Sequence, residues 1–99
     1  MIQITLNKVM MNKPYPESGE EFGRTIEKAI VNNDIVQIDM SGVQSIPTMF
    51  MTTSFGYVMN KYGVERLKKA LVFKHISKVQ IEKISKYIKD FAEIYKIPQ

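Results

Sequence analysis

Val36-Gln-Ile-Asp-Met-Ser-Gly-Val-Gln-Ser-Ile-Pro-Thr-Met-Phe-Met-Thr-Thr-Ser-Phe-Gly56 decides the fold of this chain. The run Ile35–Met40 is mostly apolar, β-branched and of strand length, which predicts a central strand buried on both faces. Ser41–Pro47 is the connection. Met51, Phe55, Val58, Met59 and Tyr62 then share one helical stripe, which predicts a helix over Thr48–Tyr62. Gly63 follows it as a C′ residue in the left-handed conformation. A strand, an acidic strand end, a turn carrying hydroxyls and a helix therefore stand in sequence, with Asp39, Ser45 and Thr48 at one edge.

The pattern repeats on both sides. Ile2–Leu6 alternates apolar and polar residues as a strand does. Residues 7–17, with Asn12, Pro14 and Pro16, read as a loop, with further strand residues at Val9–Met11. Ser18-Gly-Glu-Glu21 has the form of a capping box, and Phe22, Ile26, Ala29 and Ile30 carry a helix to about Val31. Downstream, Val64–Lys69 suits a short helix and Ala70–Lys74 a third strand. Ser77 and Gln80 form a second capping box, with Ile76 and Ile81 as its hydrophobic staple. Ile81, Ile84, Ile88, Phe91 and Tyr95 extend the last helix to about Lys96, short of Pro98. The order β-α-β-α-β-α predicts a single α/β domain over residues 1–99: a small parallel or mixed sheet, right-handed crossovers and covering helices.

Composition excludes several classes of function. The absence of cysteine removes disulfides, thiol catalysis and thiolate metal sites. No apolar run reaches the roughly 18–20 residues of a membrane span, and Met1–Lys8 lacks the apolar core of a signal peptide. A cytoplasmic protein is expected. The five glycines are scattered, so no phosphate-cradling loop or dinucleotide fingerprint exists. No cofactor motif, no metal-ligand spacing and no nucleophile elbow is present. The lone His75 has no carboxylate near it in sequence. The chain reads as a non-enzyme.

Charge is uneven. Residues 1–60 carry four Lys/Arg against six Asp/Glu, whereas residues 61–99 carry ten against four. A nucleic-acid face using Lys68, Lys69, Lys78, Lys83, Lys86 and Lys89 is therefore the alternative reading. Its single arginine, Arg66, and its interleaving with apolar helix positions suit a solvated lysine face better.

The candidate site is the junction between the second strand and the following helix, where α/β sheets tend to gather functional groups. Asp39 either bonds loop amides or sets a recognition loop. Ser41 and Gly42 make the turn. Ser45 or Thr48 caps the helix, or serves as a phosphate acceptor whose added charge repels an acidic partner. Pro47 fits the helix start. Met49, if exposed, suits a docking surface, together with Thr52 and Thr53.

Asp39-x-Ser-Gly-Val-x-x-Ile46 followed by a helix with Phe50 and a Ser54-Phe-Gly56 step resembles the bacterial STAS-like domain family, small relatives of the anti-sigma-factor antagonists. Ser18–Ile26 looks like that family's first helix, and Tyr62–Lys74 like its glycine-ended helix, short basic segment and last strand. The likeness covers about residues 13–95 and is most specific over Asp39–Gly63. It implies a small sheet with helices mainly on one face. It also implies a regulatory role through protein–protein switching, often with an ATPase-type serine/threonine kinase acting as anti-sigma factor. By position it points to Thr48 as the phosphoacceptor, with Ser45 second. The antagonists' Asp-Ser-Ser/Thr-Gly pattern is altered, with Pro47 in place of its acid and Phe50 in place of its glycine. A switch and a simple binder thus both stay open. An enzyme using Asp39 and His75 would require the two to meet in a polar cleft.

Overall fold

The structure, a computed structural model, describes residues 1–11 and 13–97. The loop residue Asn12 and the helix-stopping Pro98 lie outside the described residues. Three parallel strands, β1 (Ile2–Thr5), β2 (Val36–Asp39) and β3 (Leu71–Lys74), form one open sheet in the order β1-β2-β3. Among the described residues five helices accompany them: α1 (Leu6–Met11), α2 (Tyr15–Val31), α3, α4 (Val64–Ala70) and α5 (Lys78–Ile94). Helix α3 runs from Thr48–Met51 through one π-helical turn, Thr52–Gly56, into Tyr57–Tyr62. The expected α/β sandwich is what the chain adopts.

Register explains which side of the sheet is covered. Val36 lies opposite Ile2 and Leu71, and Ile38 opposite Ile4 and Phe73. These residues face the helices, and Val36 and Ile38 are fully buried. Gln3, Gln37 and Val72 point the other way, as do Thr5, Asp39 and Lys74. Gln37 and Asp39 are only half-buried. The expectation that the central strand is covered on both faces is thereby corrected. With helices on one side only, every second residue of β2 meets solvent, and the polar Gln37 and Asp39 occupy those positions.

Two further expectations change. Residues 6–11 are helical rather than loop or strand, because Leu6, Val9 and Met10 recur at helical spacing and pack inward. Helix α2 begins at Tyr15, not at Ser18. Pro14 stands at its N-cap and Pro16 in its first turn, where a missing amide costs nothing. Ser18 lies one turn inside, its hydroxyl donating to the Pro14 carbonyl at 3.1 Å. Glu21 pairs with Lys13 at 2.6 Å instead of closing a box.

The core forms where α2 crosses α3. Phe22 stacks on Phe50 with centroids 5.6 Å apart and meets Phe55 edge-on at 5.9 Å. All three rings are buried, each contributing roughly 1.5–3 kcal/mol by leaving water. Gly19 and Gly23 let the helices approach closely. A Cβ on Gly19 would lie 1.7 Å from Thr53 Oγ1. Beyond α3, Gly63 adopts φ 89° and ψ 167°. That is not the expected left-handed helical conformation but an extended mirror-image one open essentially to glycine. The capping box at Ser77 is present in both halves: Gln80 N–H donates to Ser77 Oγ at 3.1 Å, and Ser77 N–H to Gln80 Oε1 at 3.0 Å.

Candidate functional site

Asp39 ends β2 with its carboxylate on the uncovered face. Its Oδ1 accepts from the Ser41 amide at 2.9 Å, two residues on, closing an Asx turn. The parallel register sets Asp39 beside Lys74, and the next residue, His75, turns back with φ 55°. Its Nδ1 lies 3.0 Å from Asp39 Oδ1 and 3.1 Å from Ser41 Oγ. His75 therefore does have a carboxylate, contrary to its isolation in sequence, because two neighbouring strands bring together residues far apart in the chain. The Ser41 hydroxyl, then the Ser41 amide, then His75 hold the Asp39 carboxyl well below the usual range.

These three residue types invite comparison with a hydrolase triad. In such a triad the acid and the nucleophile bind opposite ring nitrogens, so that the imidazole passes a proton between them. Here Asp39 and Ser41 both meet Nδ1, and no relay through the ring exists between them. The imidazole is largely solvent-exposed rather than seated in a cleft. The arrangement is a clasp that fixes the start of the loop. No group of three or more His, Asp or Glu side chains that could hold a metal occurs among the described residues.

The loop itself is a firm platform. Gly42, at φ 78°, makes the turn, and Val43 and Ile46 drop into the core. Helix α5 secures their carbonyls. Gln80 Nε2 donates to Val43 O at 2.6 Å, and Lys83 Nζ to Ile46 O at 2.8 Å. Ser41, Gly42, Gln44 and Ser45 remain exposed between these anchors.

At the mouth of α3 the cap position belongs to Pro47, and no side chain caps the helix. The expectation that Ser45 or Thr48 does so is corrected. Pro47 takes the extended N-cap conformation, which places Thr48 already inside the first turn. Thr48 and Met49 are both exposed, Met49 by 56%, while Phe50 and Met51 are buried.

Three successive hydroxyls follow. Thr52 Oγ1 meets Tyr87 OH at 2.5 Å. Thr53 Oγ1 donates to Met49 O at 2.9 Å and Ser54 Oγ to Phe50 O at 2.7 Å. Such back-bonding competes with the helical ladder and accompanies the π turn. Thr52 is exposed, whereas Thr53 is half-buried against Gly19.

Asp39, Ser41 and Gly42 thus gather with His75 at the start of the loop, and Thr48, Met49, Thr52 and Thr53 stand at its end. The sequence did not reveal His75 as a member of the clasp, nor Gln80 and Lys83 as anchors, since each acts across more than thirty residues. Nor did it reveal Glu27, which gathers Lys61, Tyr62 and Tyr57 at 2.6, 2.7 and 2.9 Å. No helix among the described residues is long and apolar enough to cross a membrane.

A family model described as a STAS-like domain of unknown function (DUF4325) matches residues 18–80, more than half of the chain. No curated protein and no solved structure matches it.

Proposed function

The chain belongs to the STAS-like domain family, and from that premise we propose that it is a non-catalytic, cytoplasmic regulatory domain of the bacterial kind that acts by binding another protein. The observation that carries this reading is Met49, an apolar side chain 56% exposed at the mouth of α3. Beside it stands the exposed Thr48, and the loop behind is anchored at Val43 and Ile46. An apolar anchor ringed by polar groups on a preorganised loop is the composition of a protein-docking patch. Asp39, Ser41 and Gly42 shape one rim, and Thr52 with the edge of Thr53 the other.

Within that reading Thr48 is the phosphoacceptor and Ser45 the second choice. A phosphate on Thr48 would sit at the positive end of α3 and add roughly −1.5 to −2 charges to the patch without disturbing the core. The partner would be an ATPase-type serine/threonine kinase or anti-sigma factor. The nucleic-acid alternative is less favoured by the lysines themselves. Lys83 is spent on the Ile46 carbonyl, Lys86 on Asp90 and Lys69 on Glu65.

The test is co-purification of the tagged chain from its own cells beside Met49→Glu and Thr48→Glu, followed by reconstitution with the purified partner. A protein retained by the wild type and weakened at least tenfold by both substitutions is expected. Equal retention by all three chains, or recovery of nucleic acid that salt displaces, overturns the proposal. An intact mass unchanged by the kinase and ATP removes the switch and leaves docking.

A further inference from the structure

Away from this patch, β3 forms an outer edge of the sheet. In a parallel ladder the main-chain groups of alternate residues point to opposite sides. The Lys74 carbonyl accepts from the Met40 amide at 2.8 Å, so Lys74 faces β2. Phe73, one residue earlier, turns its N–H and C=O to the open edge. The one sheet neighbour of β3 is β2, on the other side, and among the described residues no backbone bond from a turn, loop or cap reaches either group. Such an edge is a template for another strand.

Beside it lies a groove of about 230 Å³ between β3 and α5, walled by Leu71, Phe73, Ile76, Ile81, Ile84 and Ile88. Ile81 is 48% exposed on its outer lip. The rim is basic. Lys68 lines the groove, as does Ser85, and on α5 Lys78 stands one turn before Ile81 and Lys89 one turn beyond Ser85. None of the three has an ion-pair partner among the described residues.

We propose that the β3 edge and this groove bind an extended, acidic segment of another protein as a fourth strand. Each feature selects one property of the occupant. The free Phe73 groups require main-chain donors and acceptors in extended form. The groove takes apolar side chains at every second position. Acidic residues between them point to the uncovered face, where Lys74 stands exposed on β3, and those at the segment's ends meet the rim lysines. The same cations disfavour a second copy of this chain, whose own lysines would face them. This surface is separate from the Met49 patch, and its occupancy does not depend on the function proposed there.

The probe is a synthetic peptide, Glu-Val-Asp-Val-Glu-Ile-Asp, titrated into the full chain and followed by amide NMR. Its controls are the same peptide with lysine for every acid, and one with proline at the central valine. Saturable shifts on β3 and α5, slowed exchange of the Phe73 amide, and at least fivefold weaker binding of both controls are expected. Ile81→Asp and, separately, Lys68→Glu should weaken binding at least fivefold while leaving the rest of the amide spectrum in place. Absent protection at Phe73, equal binding of the controls, or shifts centred on Met49 would overturn the proposal. Concentration-dependent dimerisation with the same β3 shifts would also overturn it, by showing the occupant to be a second copy.

Discussion

At Gly19 a methyl group would stand 1.7 Å from Thr53 Oγ1 and 2.9 Å from the Phe50 carbonyl oxygen. The backbone atom cannot step aside as a side chain can, so Gly19→Ala should destabilise the chain by about 1–3 kcal/mol through overpacking. Adding Thr53→Ala removes the closer clash, and the double variant should lose less than the sum of the single losses in urea denaturation. Simple additivity would mean that the two residues do not share the crossing. Glu27 makes a second residue-scale test. Its hydrogen bonds to Lys61, Tyr62 and Tyr57, in that order of weight, lower its carboxyl from 4.5 to about 2. A folded value below the unfolded one gives stability that is complete above the unfolded value and is lost as pH falls through about 2. The gap in urea midpoint between wild type and Glu27→Gln should therefore hold steady down to about pH 4.5, narrow below it and close under pH 2. A gap that persists at the lowest pH would assign the loss to shape rather than charge. Neither residue stands out in the sequence. A glycine inside a helix and a lone glutamate acquire meaning only from the chain that crosses them.

The elements were legible where periodicity ran long. Phe22-Ile26-Ala29-Ile30 and Ile84-Ile88-Phe91 each draw a stripe that matches the buried face of α2 and α5, whereas Ile81 and Tyr95, expected on the same stripe of α5, are exposed. Six residues of α1 carry too few turns to be separated from a loop by pattern, and the prolines that open α2 masked its start. The π turn was hidden for another reason: it accompanies hydroxyl-to-carbonyl bonds of Thr53 and Ser54, which no spacing rule encodes. The capping box at Ser77 was readable because all of its parts lie within four residues. Ser77→Ala should cost about 1 kcal/mol in urea denaturation. Gln80→Leu should cost more. It removes that box's second half and leaves the buried Val43 carbonyl without its donor, a loss of about 1–3 kcal/mol for the carbonyl alone. Hydrogen exchange of the Val43 and Gln44 amides should quicken in Gln80→Leu and stay slow in Ser77→Ala. Equal exchange in both would show that α5 does not brace the loop.

For the whole molecule, the match to the family ends at residue 80, yet the fold does not. Ile84, Ile88, Phe91 and Ala92 of α5 are buried, and the Phe91 ring lies where a Cβ on Gly56 would come within 2.9 Å. At roughly 1.5–3 kcal/mol for each large side chain, their loss rivals the whole stability of a small domain, about 5–15 kcal/mol. A fragment ending at Ile76 should show no cooperative thermal unfolding by circular dichroism, and a cooperative transition would make α5 an accessory. The class of fold and the strand-to-helix junction over Asp39–Thr48 could be read from sequence, since both follow from alternation of strand and helix. The meeting of Asp39 with His75 could not, because it depends on which strands lie side by side. That neighbourhood has a consequence for synthesis. Because the strands stand in the sheet in the order in which they are made, a nascent chain can lay each one against a predecessor already outside the ribosome. The central pairing need never be opened to admit a latecomer, although the final helix must clear the exit tunnel before the apolar wall above β3 is roofed.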